Sequence, residues 1–152
     1  MEDFLALVER YLDNMSNYTQ YLGIKHDYLN INCITLIERI YKEQLGSDIF
    51  SDLWKHLEIK NGNPKEGTRW KFKITFDKIL EWTNKNAKKV DLLELEEYDV
   101  FIFKSKKNRP LHFGMYIGEN KFIHIEEEST SVISLLNQDW RDQIHSIYRR
   151  GV

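Results

Sequence analysis

Apolar residues along this 152-residue chain follow two different periods, and the change falls near residue 96. Before it, spacing is helical. Phe4, Leu5, Leu7, Val8, Tyr11 and Leu12 make one stripe, which predicts an amphipathic helix over residues 2–14. A polar stretch, Asn14 to Gln20, follows. The segment "NINCITLIERIYKEQLG" sets Ile34, Leu36, Ile37 and Ile40 on one side with charges opposite. Asn32 is its expected N-cap, Cys33 lies in its first turn, and Gly46 stands where a helix would stop. "DIFSDLWKHLEI" and "FDKILEWTNKN" predict two further helices, with the Gly- and Pro-punctuated "KNGNPKEGT" (Lys60 to Thr68) as a loop between them.

Beyond residue 96 the runs become short, β-branched and aromatic: "YDVFIF", "LHFGMYIG", "KFIHI", "SVISL" and "IHSIYRR". Turn-like "SKKNRP", "GEN" and "EEEST" separate the earlier ones, and "GEN" is a good hairpin loop. Helices first and an antiparallel meander second predict an α+β fold. The length suits one domain over 1–152, with a helical half at about 1–95 and a sheet half at about 96–152. His112 and His124 straddle the hairpin symmetrically about Gly118, which predicts that they face each other as a cross-strand pair.

Charge narrows the function classes. Lys and Arg number 22 against 24 acidic residues, so the chain lacks the basic excess that a general nucleic-acid binder needs. The basic run "KSKKNR" reads as a solvated loop. A single cysteine excludes an intramolecular disulfide and a multi-cysteine zinc site. "MEDFLALVERYLDNM" carries acids where a secretion signal needs bases, and no window approaches a membrane span. The expectation is a chain made in the cytosol without an export address, with no nucleic-acid or membrane partner.

Chemistry narrows to three residues. A thiol becomes a useful nucleophile as the thiolate, which a helix N-terminus and a neighbouring imidazole both favour. Cys33 at the start of its helix has the first, and His112 at the start of a strand is a candidate for the second. A catalytic imidazole needs a partner on its other nitrogen, and His124 can serve. The bland alternatives are an inert buried cysteine, hydrogen-bonded spectator histidines, or a zinc site with only Cys33, His112 and His124 as ligands. His26, His56 and His145 read as incidental.

Three stretches carry a resemblance to the NlpC/P60 family of papain-like cysteine peptidases, and more narrowly to its phage tail-assembly branch. "NINCITLIERIYKEQLG" is similar to the family's nucleophile helix. "EEYDVFIFKSKKNRPLHFGMYIGENKFIHI" resembles its Gly-Asp-Val strand and His-Val-Gly-Ile-Tyr-Leu-Gly hairpin, including the twelve-residue interval between histidines. "WRDQIHSIYRR" resembles the closing Trp-Arg and strand of the phage branch. Asn32 replaces the family's usual Asp, Ile34-Thr35 its usual Ser-Gly or Trp-Gly, and Tyr98 a Gly.

The resemblance implies a papain-like domain with N-terminal helices packed on a C-terminal antiparallel sheet. Cys33 would be the nucleophile, His112 the general base and His124 the residue that orients it. Tyr21, with Tyr18 competing for the position, would place a hydroxyl at the oxyanion beside the backbone N–H of Cys33, and Asn32 would complete that end of the site as helix cap. No cofactor or metal is implied. The implied reaction is hydrolysis of peptidoglycan stem-peptide bonds through a thioester, in a phage tail with other tail proteins as partners. Two other readings stay open: a non-catalytic tail-tip or assembly protein of the same fold, and an intracellular toxin-like amidase. The first helix is expected to belong to the core.

Overall fold

The computed structural model describes residues 3–26, 32–56, 72–104, 112–126 and 129–150. The expected loop Lys60 to Thr68 and most of "KSKKNR" lie outside the described residues. Among the described residues five α-helices, α1 Phe4–Ser16, α2 Cys33–Ile40, α3 Ile49–His56, α4 Phe72–Asn86 and α5 Gln138–Asp142, join six strands. The strands are β1 Ala87–Lys89, β2 Val100–Phe103, β3 His112–Gly118, β4 Lys121–Ile125, β5 Ser131–Leu135 and β6 Ile144–Arg150. They form one antiparallel sheet in the order β1-β6-β2-β3-β4-β5. The α+β expectation holds. Two short elements, β1 and α5, carry too few apolar residues to announce themselves, and β1 places a strand inside the half expected to be helical. No helix among the described residues is long and apolar enough to cross a membrane.

Strand alternation gives the sheet two unlike faces. Ile102, Phe113, Met115, Ile117, Ile123, Ile125 and Tyr148 join the buried residues of α2, α3 and α4 in the larger core. Phe101, Phe103, Phe122 and Ile147 point the other way into a smaller cluster with Val90 and Leu136, against which Trp140 of α5 packs.

α1 departs from expectation. Asp3 caps it through the Ala6 N–H at 2.8 Å, so the helix starts where the pattern places it. Its stripe, however, faces water: Phe4 is 77% and Leu5 71% exposed, and no α1 residue is fully buried. The helical side of β3 and β4 is already occupied by α2. What holds α1 is instead its flank at the hairpin end, where Asn14 donates to the Ile117 carbonyl and the Lys121 ammonium sits 3.5 Å from the Tyr11 ring centre.

The β3–β4 turn also corrects the expected pairing. Glu119 and Asn120 both take positive φ, 52° and 58°, as a two-residue hairpin turn demands. An irregularity between Tyr116 and Gly118 then shifts the register, so that Gly114 stands opposite His124. His112 and His124 are therefore not directly opposed but diagonal neighbours on one face.

Candidate active site

Helix α2 begins with a reciprocal cap. The Asn32 side-chain oxygen accepts from the Ile34 and Thr35 N–H groups, both at 3.0 Å, while the Asn32 N–H donates to Thr35 Oγ1 at 2.8 Å. This pairing satisfies donors that every helix start leaves open. It explains how Asn32 and Thr35 can replace the family's usual residues with the helix start intact. It also commits the Asn32 side chain: its oxygen is engaged by the helix.

The cap delivers Cys33, a free thiol on a half-buried residue, to the start of strand β3. Burial dominates its electrostatics and pushes the thiol up to about 11. Backbone N–H groups pull the other way, that of Phe113 most, then those of Ile34 and Cys33 itself. The sulfur thus sits against the peptide that joins His112 to Phe113. The helix start does pull the thiol's pKa down through its N–H groups, as expected, but desolvation outweighs those few dipoles. At neutral pH the resting group is a thiol.

His112 and His124 touch. His112 Nε2 and His124 Nδ1 are 2.8 Å apart, and His124 Nε2 lies 2.8 Å from Ser134 Oγ. The relay crosses three strands obliquely, since Gly114 and Val132, not the bonded residues, stand directly opposite His124. His124 is only 2% exposed, and burial lowers its pKa to about 4. A ring neutral at physiological pH carries one N–H. If Ser134 takes it, Nδ1 accepts from the His112 Nε2–H, a pattern that puts the lone pair of His112 on its Nδ1.

Aromatic rings wall the pair in. Phe103 stacks on His112 with centroids 5.5 Å apart, and Trp140 lies 5.0 Å from His124 and 5.9 Å from His112. Gly114 makes room for this packing: a Cβ there would stand 2.8 Å from Phe122 Cδ2 and 3.1 Å from Phe103 Cε2.

Tyr21 does not join them. Its ring is fully buried in the larger core, Arg39 lies over it, and its hydroxyl donates to Glu43 at 3.0 Å. Glu43 is ten residues past Cys33, about 15 Å along a helix, so that hydroxyl is directed away from the thiol. Tyr18, its competitor, is equally buried and bonded to Glu97. The resemblance alone placed either hydroxyl at the oxyanion, and both are engaged by carboxylates elsewhere. The sequence reading missed Ser134, which has no motif and is brought in only by the β4–β5 register. It also missed the role of Trp140, quoted within the closing segment but visible as a cover only once α5 folds back.

The family model for NlpC/P60 matches residues 17–149. No curated protein matches the chain. A solved structure from Staphylococcus aureus, described as similar to a lipoprotein of the NLP/P60 family, superposes with a TM-score of 0.51 at 16% identity. The match covers 99% of this chain and 42% of that one, so this chain spans less than half the length of the protein it resembles in fold.

Proposed function

This chain belongs to the NlpC/P60 family, and on that premise we propose that it is a cysteine peptidase or amidase that opens peptidoglycan stem-peptide bonds. Proteins of the family are in general cell-wall peptidases or amidases. The observation that carries the reading is the Ser134–His124–His112 relay together with the Phe113 N–H on the Cys33 sulfur.

In this reading the proton leaves sulfur during attack, not before, because the resting thiol is desolvated. His112 Nδ1 takes it as sulfur bonds to the substrate carbonyl carbon, and the developing oxyanion meets the Cys33 N–H. Collapse breaks the C–N bond, and the amine departs with the proton from His112. Water then attacks the thioester, giving its proton to His112. Collapse of that adduct breaks the C–S bond, the product leaves as a carboxylic acid that ionises to solvent, and the thiolate regains the proton held by His112. His124, held by Ser134, keeps the base nitrogen of His112 aimed throughout. The finer setting, a phage tail whose partner proteins bring the domain to the wall, is proposed on the closing Trp140-Arg141 segment and its strand.

Purified sacculi and soluble stem peptides test the reading. Wild-type protein is expected to release peptide fragments, and Cys33→Ala and His112→Ala to release none. No fragments from wild type, with Cys33 still alkylated in a His112-dependent way, would move the activity to an intracellular amide. No fragments and no such dependence would leave a non-catalytic member of the family, a reading that the raised thiol pKa favours.

A further inference from the structure

We propose that His112, His124 and Glu126 form a divalent-cation site suited to zinc. One donor atom from each lies within 4.8 Å of the others, the one such three-ligand grouping among the described residues. It is not the Cys33-containing set considered from sequence: the carboxylate of Glu126 takes the place of the thiol. The register explains why. Continuing the β3–β4 pairing past Gly114 and His124 sets Glu126 directly across from His112, on the face that carries both rings.

Chemistry selects the metal. Two imidazoles and a carboxylate with an open fourth position suit zinc, whereas magnesium and calcium prefer oxygen donors throughout. Zinc–nitrogen bonds of about 2.1 Å at tetrahedral angles put the two nitrogens about 3.4 Å apart. The observed 2.8 Å needs to open by only about 0.6 Å, less than the slack in one χ rotation. One imidazole is already braced as ligating histidines are, its far nitrogen held by Ser134. Glu126 is exposed, which gives an ion an entry path and leaves water for the fourth position.

Loading requires no net proton release. Neutral His112 shifts its N–H from Nε2 to Nδ1, and Nε2 and His124 Nδ1 give their lone pairs to the cation. A protonated Nδ1 cannot take the thiol proton, so bound zinc should silence the hydrolysis proposed above. That consequence rests on the peptidase reading; the binding itself does not.

Calorimetric titration of the full chain with zinc chloride tests the site without substrate. Cys33→Ala is expected to keep wild-type affinity. Glu126→Gln, a surface change that leaves the core untouched, should weaken binding by about tenfold or more, and His112→Ala by at least as much. Cobalt should give a tetrahedral absorption spectrum without a thiolate charge-transfer band. Unchanged affinity in Glu126→Gln, a loss in Cys33→Ala, a thiolate band, or no zinc binding by wild type at millimolar concentration overturns the proposal. Zinc binding in this pattern by a protein that cleaves no sacculi leaves the site standing and removes the peptidase reading; cleavage without zinc binding does the reverse.

Discussion

The two faces of the β3–β4 hairpin are made from alternate residues of the same two strands, yet they do different work. Toward the helices stand Phe113, Met115, Ile117, Ile123 and Ile125, all buried among other apolar side chains. Toward the other side stand His112, Gly114, Tyr116, Phe122 and His124, with polar atoms linked in a line and rings packed around them. The first face can be built from shape-filling hydrocarbon alone. The second must satisfy each buried nitrogen, because an unpaired polar group in that setting is costly. The lesson is that one face sets stability and the other spends part of its packing on orientation. The thiol sits at the seam, on the helical side but bonded to the backbone N–H that follows His112.

Substitutions can break this division. Ile123→Ala on the helical face should cost about 2–5 kcal/mol in urea unfolding. In the protein that remains folded, the His112–His124 NMR signals should persist; their loss would show that the faces are not separable.

Acid should act through the other face. His124 titrates at about 4 when folded, below its ordinary 6.5, so between those values the unfolded chain binds more protons. Stability from burying the neutral ring is intact above pH 6.5 and is lost as pH falls through the window, by about 3 kcal/mol in all. The unfolding midpoint of His124→Gln should fall less steeply over that range; an equal slope would remove His124 as the cause.

Gly114→Ala should cost about 1–3 kcal/mol, since its methyl would press on Phe122 and Phe103, which are hemmed in by other rings. A neutral result by thermal melting would mean that the aromatic wall yields. Smallest, Ser134→Ala should cost about 1 kcal/mol and lower hydrolysis through kcat with KM little changed. Equal changes in both constants would point to substrate contact instead of ring orientation.

Sequence alone carried the elements whose cause is local. The period of apolar residues marked α1 to α4 and β2 to β6, Asn32 marked the start of α2 as its cap, and Gly46 marked the left-handed stop after the turn Tyr41–Leu45 that continues it. The two histidines were rightly expected to touch. Those outcomes depend on repeat geometry and on hydrogen bonds between near neighbours, which the order of residues specifies. The tertiary structure decided the rest. It turned the α1 stripe to solvent because α2 had the sheet, and it set the histidines on a diagonal because the turn took two residues and a bulge followed. It buried the hydroxyl of Tyr21 against Glu43, and it raised the Cys33 thiol through desolvation. Each of these follows from which surfaces meet and how much water they exclude, and the spacing of residues along a chain does not encode that exclusion.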